Sequence, residues 1–207
     1  SFRTPYQGNA TLRKQINSGK VRFVDMHLSA VAQQVRYGFL GKISWAVVEA
    51  CDVTAGGGIV LSTSVGNSNT YLRVADKVII ELNSKHPTSL LGIHDIFEPK
   101  DPPGRSEIPI FSPSDRCCSP ICVVDPDKIA GVVFTNLADE SGGFEEGTPV
   151  TDQIGQNVAD FLVSEIRTGR VPSSFLPLQS GVGNIANAVL AALGRSSEIP
   201  AFEMYTE

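Results

Sequence analysis

Positive charge is scarce: 17 Lys and Arg stand against 22 Asp and Glu in 207 residues, a formal net charge of −5. Such a balance offers no basic surface for nucleic acid. Histidine is nearly missing too. The three present, His27, His86 and His94, are scattered, which argues against a histidine-built metal site. No apolar run approaches the roughly 18 to 20 residues that span a bilayer, so no membrane partner is expected. No secretory leader is recognisable at Ser1-Phe2-Arg3, a start without methionine. Four cysteines are too few for a disulfide framework in a chain this long. Three of them gather at Cys117, Cys118 and Cys122, with neither a histidine nor the fourth cysteine nearby. A zinc site wants four ligands, or three and a water, so reduced thiols in a loop and no metal are expected. Internal repeats and low-complexity segments are absent as well.

What is present is an apolar fraction of 42%, enough to bury a real core. Asn9 is placed to cap a helix through Ile16 that Gly19 ends. Val21 to Met26 alternates like a strand. A helix after Ser29, with Val31, Ala32 and Val35 on one face, stops near Gly38 or Gly41. Ile43 to Cys51 is a nearly continuous apolar run, which predicts an interior strand covered on both faces. Gly56, Gly57 and Gly58 precede another strand at Ile59 to Thr63, the pattern of a hairpin. A dinucleotide fingerprint needs glycines between a strand and a helix, so a nucleotide-dependent α/β enzyme is the weaker reading there. Ser64 to Thr70 leaves that strand and enters a helix at about Tyr71 to Ala75. Its amides and hydroxyls line a pocket or merely cap the helix. Val78 to Asn83 is a further buried strand.

From Pro87 to Pro120 prolines dominate and periodicity fades, as in long functional or partner-covered connections. Strands return at Cys122 to Asp125 and Lys128 to Thr135, around the turn Asp125-Pro126-Asp127. The acidic tract from Asp139 to Glu146 reads as a solvated loop, not an acid/base pair. Thr151 is placed to cap a helix through Ile166, striped by Ile154, Val158, Phe161, Leu162 and Ile166 and closed by Gly169. Val171 to Pro177 reads as extended. Strands alternating with helices give an α/β class with a mostly parallel sheet and flanking helices.

The chain converges on its last stretch. Gly181 and Gly183 flank Val182, and Asn184 is placed to cap a helix to Leu193 that Gly194 terminates. Glycine lets another group approach the backbone, and free amides at a helix start suit an anion or a developing oxyanion. The residues alone also fit an ordinary strand-to-helix turn. Glu207 alone fits a surface charge, as in a non-catalytic α/β binding domain, and Glu203 shares its face if the segment is extended.

The pairing of Pro177 to Leu193 (PLQSGVGNIANAVLAAL) with Phe202 to Glu207 (FEMYTE) resembles the acetyl-CoA hydrolase/transferase family, the class I CoA-transferases of succinyl-CoA:acetate type. Gly8 to Arg13, Ala75 to Asn83, Glu107 to Ile110 and Ser114 to Arg116 carry the likeness across nearly the whole chain. The resemblance implies a two-domain enzyme, with residues 1–175 the remainder of the N-terminal domain and 176–207 the start of the C-terminal one. It implies sequence before Ser1, a second domain after Glu207, and an isolated piece that is inactive. It makes Glu207, and not Glu203, the catalytic nucleophile. Gly181, Val182, Gly183, Asn184 and Ile185 become the CoA-binding loop. Coenzyme A and acyl-CoA are then substrates alongside a short-chain carboxylic acid, with no permanently bound cofactor. A homodimer in the bacterial cytoplasm, or second the mitochondrion, is expected.

Overall fold

The computed structural model describes residues 3–4, 6–139, 146–175 and 178–206. They divide into two compact units, one within 1–109 and 116–138, the other within 110–115 and 139–207.

In the first unit β1 (Arg3–Thr4) pairs in parallel with β2 (Arg22–Phe23). Between them runs α1 (Ala10–Asn17), whose first turn Asn9 caps by accepting from the Leu12 amide at 2.8 Å. Gly19 ends α1 at φ 74°, a backbone that favours glycine. The strand expected over Val21 to Met26 shrinks to β2, because only residues opposite β1 find a ladder partner. Helix α2 is Leu28–Arg36, with Val31 and Val35 buried.

The main sheet has the order β6-β4-β3-β5-β7. Its strands are β3 (Trp45–Val53), β4 (Gly58–Leu61), β5 (Lys77–Asn83), β6 (Cys122–Val123) and β7 (Ile129–Thr135). β3, β5 and β7 are mutually parallel. β4 is antiparallel to both β3 and β6, so four strands run one way and β4 alone opposes them. The expected mostly parallel α/β sheet is thus present. Ala46, Val48, Val78 and Ile80 point to one side and pack with Leu72 of α3 (Ser68–Val74). Burying each large aliphatic side chain contributes about 1.5 to 3 kcal/mol. Double-sided burial of β3 was expected and is corrected: Trp45 is 56% and Val47 66% exposed. The alternation of buried Ala46 and Val48 with exposed Trp45 and Val47 marks one-sided burial.

The second unit is built on two helices, α4 (Pro149–Arg167) and α5 (Asn184–Arg195). The cap of α4 is Thr148, not Thr151. Thr148 accepts from the Thr151 amide at 3.2 Å while Thr151 Oγ1 accepts from the Thr148 amide at 2.8 Å. Pro149 at the first helical position suits this start. The buried seam of α4 is Gly155 and Ala159, whereas Phe161 from the expected stripe is 59% exposed. A Cβ on Gly155 would stand 2.5 Å from the Ala188 carbonyl oxygen, so the helices meet where only glycine fits. Two short strands, β8 (Gln179–Ser180) and β9 (Tyr205–Thr206), pair in parallel beside them. Within the expected extended run, Phe175 turns the backbone at φ 54°, and residues 176–177 lie outside the described residues. So do 140–145 of the acidic tract.

Candidate functional site

The glycine loop is the connection from β8 to α5. Gly183 sits at φ 145°, ψ 164°, a conformation that L side chains rarely adopt, and its carbonyl accepts the Asn187 amide at 2.9 Å. The helix cap is therefore Gly183, and Asn184 is the first helical residue, one position away from the expected cap. Gly194 likewise lies inside α5, which ends at Arg195. Because glycine has no side chain, no side-chain cap covers the first turn, and that turn carries no acidic residue. The helix start offers amides and partial positive charge to an incoming anion. Gly181 is exposed, as are Val182 at 70% and Ile185 at 53%, while Gly183 and Asn184 are half-buried.

The second half of the motif lies next to this loop. Tyr205 is opposite Gln179 and Thr206 opposite Ser180, with the Tyr205 amide donating to the Leu178 carbonyl at 2.9 Å. In a parallel pair both chains advance together, so β9 runs toward Gly181. The approach is anchored by Phe202, whose ring meets buried Phe175 edge-on at 4.9 Å between centroids. Glu203 is exposed and lies two residues before Tyr205, on the side away from the glycine loop. Glu207 follows Thr206 directly and lies outside the described residues.

The first unit holds a separate cleft of about 370 Å³, lined in part by Ser29, Arg36, Asn67, Thr70, His94 and Glu98. Ser64 to Thr70 was open between pocket wall and cap. Its residues 65–67, 69 and 70 line this cleft, and Asn67 at the start of α3 makes no side-chain cap bond. Arg36, 6% exposed in its side chain, donates to Asp101 at 2.6 Å and to Glu98 at 3.3 Å. Glu98 also accepts from Asn69 Nδ2 at 2.9 Å and Thr70 Oγ1 at 3.1 Å. The Arg36 hydrogen bond holds the Asp101 carboxyl below its ordinary pKa, and the same bond raises Arg36. Sequence reasoning missed this network because Arg36 is 62 to 65 residues from its two carboxylates, which sit in the proline-rich stretch.

The glycines at 56–58 connect two antiparallel strands, β3 and β4, with Gly57 at φ 79°. A strand on both sides removes the nucleotide reading. All four cysteines are free, with Cys51 and Cys122 buried. Cys117 and Cys118 are half-buried, and with Asp95 they bring three ligand atoms within 4.8 Å of one another. Asp95 is the neighbour that local spacing around the cysteines did not reveal.

No helix among the described residues is long and apolar enough to cross a membrane. The model of the acetyl-CoA hydrolase/transferase N-terminal domain matches residues 1–134. The chain is 48% identical over 207 residues to the propanoyl-CoA:succinate CoA transferase of Escherichia coli K12, covering all of this chain and 42% of that protein. It is 38% identical over 211 residues to the acetyl-CoA hydrolase of Schizosaccharomyces pombe, covering 99% of this chain and 40% of that one. Among solved structures, 4-hydroxybutyrate CoA-transferase from Porphyromonas gingivalis shares the fold at 20% identity and a TM-score of 0.55, over 100% of this chain and 42% of that one. The chain thus spans about two fifths of the length of the relatives it matches. With its sheet, glycine loop and matched region taken together, the chain belongs to the acetyl-CoA hydrolase/transferase family.

Proposed function

We propose that the protein containing this chain moves CoA between a short acyl-CoA and a free carboxylic acid, with Glu207 as nucleophile and residues 181–185 as the CoA loop. The observation that carries the proposal is the β8–β9 pair, which sets Thr206 beside Ser180, the residue before Gly181. A carboxylate acting near a helix start that no side chain caps would suit acyl transfer. Glu207 attacks the thioester carbonyl, and CoA leaves as the thiolate, giving an acyl-glutamyl anhydride. The thiolate then attacks the glutamyl carbonyl and the first acid departs, leaving a glutamyl-CoA thioester. A second acid reverses both steps, a ping-pong course. Each tetrahedral oxyanion would be met by amide donors such as those of α5, typically worth on the order of 3 kcal/mol apiece.

Residues 176–207 would open the C-terminal domain, with α4 packed against its first helix. CoA thioesters serve as substrates in this reading, with no resident cofactor. A cytoplasmic homodimer is part of the same proposal. Hydrolysis is the second reading, favoured by the yeast relative's designation as an acetyl-CoA hydrolase. Water would then take the place of the second acid, and its exclusion decides between the two.

The test is peptide mass spectrometry of the full-length protein after acetyl-CoA, with borohydride reduction in parallel. A CoA adduct at Glu207, released by acetate or succinate and missing in Glu207→Ala, is the expected outcome. An unmodified Glu207 in a protein that still turns over acyl-CoA would sink the glutamyl mechanism. Unchanged turnover in Glu207→Ala would make this residue a surface charge.

A further inference from the structure

We propose that Asp95, Cys117 and Cys118 form a binding site for a thiophilic divalent cation of the zinc and cadmium class. The three side chains come from two segments that are fastened on both sides of the site. On one side Ile96 and Ser119 form an antiparallel bridge, the Ile96 amide donating to the Ser119 carbonyl at 2.8 Å. On the other, Arg116 Nη1 donates to the Ile93 carbonyl at 2.7 Å. His94, next to Asp95, has Nε2 2.9 Å from the Ser62 carbonyl, which ties the segment to the end of β4. The ligands therefore project from a braced frame, not from a free loop.

The Asp95 carboxylate accepts the Cys117 amide at 3.1 Å on one oxygen and the Cys118 amide at 2.8 Å on the other. Each oxygen keeps a further lone pair for a cation. Cys117 Sγ is 3.8 Å from Asp95 Oδ2 and 3.1 Å from Cys118 Sγ, so both thiols face the same side. Two thiolates on a tetrahedral ion with bonds near 2.3 Å stand about 3.8 Å apart, so the sulfurs need part by only about 0.7 Å. Burial, with Cys117 beside it, pushes the Cys118 thiol up to about 11. Cation binding would release the two thiol protons to solvent and leave two thiolates and a carboxylate around the metal. Asp95 also borders the Arg36 cleft, and a water would complete a tetrahedral set of four.

The test is titration of reduced, chelator-treated full-length protein with cadmium, read by ultraviolet thiolate-to-metal absorption, then displacement by zinc. We expect one cadmium per chain, a band retained in Cys51→Ser and lost in the Cys117→Ser/Cys118→Ser double variant. Asp95→Asn, which keeps an amide-accepting oxygen, should weaken binding by about tenfold or more. Absence of the band in the parent, its survival in the double variant, or unchanged affinity in Asp95→Asn each overturns the site. So does a parent protein about 2 Da lighter that takes up no metal, the signature of a Cys117–Cys118 disulfide.

Discussion

The two units solve the problem of holding a polar site in opposite ways. In the first, polar side chains are pinned by other side chains. Glu49 accepts from Ser62 and from Asn83 Nδ2 at 2.7 Å, and Asn83 also bonds the Leu137 carbonyl at 2.8 Å. Arg36, Glu98 and Asp101 form the second such knot. Beneath both lies a core of fully buried aliphatics such as Ile59, Leu61 and Ile80. In the second unit the core is thin, drawn from Ala159, Ala192, Leu193 and Phe175, and the candidate site is made of backbone. Its loop is set by one glycine conformation and one two-residue strand pair. Side-chain networks keep a cleft in shape without a ligand. A backbone loop presents main-chain amides to one.

The sharpest way to break this contrast is to hollow the first core. Ile80→Ala should cost about 2 to 5 kcal/mol. Peptide-resolved hydrogen exchange should show residues 77–83 and 129–135 losing protection while 156–166 and 186–193 keep theirs. Equal loss in both regions would mean that one cooperative block, and not two differently built units, underlies the fold. A smaller effect is expected from Gly183→Ala, which forces a side chain into a φ of 145° at a cost on the order of 1 to 3 kcal/mol. Exchange of the amides at 184–187 should rise, with the first unit unaffected. Parent-like protection there would show that the loop does not depend on that backbone geometry.

The smallest effect belongs to the acid limb of the first unit. The folded Asp101 pKa is depressed by Arg36, which stays charged throughout. The contribution of Asp101 is therefore fully present above the ordinary carboxylate pKa of about 3.9, and it is lost as pH falls through the lower folded value. Asp101→Asn should flatten that part of a stability-against-pH curve and leave the shape of the curve near neutrality unchanged. An unaltered acid limb would mean that the pair adds nothing in solution.

Local chemistry made part of this legible in advance. Asn9 and Gly19 bracket α1 because caps act within one turn, and the hairpin at 56–58 followed from glycines lying between two β-rich runs. Where two neighbours offer the same chemistry, sequence cannot choose. Thr148 and Thr151 both join the capping box of α4, and Asn184 concedes the cap of α5 to Gly183, whose backbone conformation no composition reveals. Strand lengths and the one-sided burial of β3 depend on what lies opposite, as β2 shows. Glu98 and Asp101 were hidden for the same reason: their partner is more than sixty residues away. The likeness carried by Ala75 to Asn83 proves architectural within this unit, since Glu81 accepts from Thr135 Oγ1 at 2.9 Å and Asn83 ties β5 to Leu137.

The Phe202 contact also acts as a gauge of length. From that seated ring the chain covers four residues to Thr206, and the glycine loop is met only if that count holds. One residue inserted between Phe202 and Tyr205 would slide β9 by about 3.3 Å and exchange its two faces. An insertion in the exposed turn after α5, at 196–198, lies upstream of the seat and leaves the distance from ring to strand as it was. Drift in length between members should thus gather before Phe202 and be refused after it.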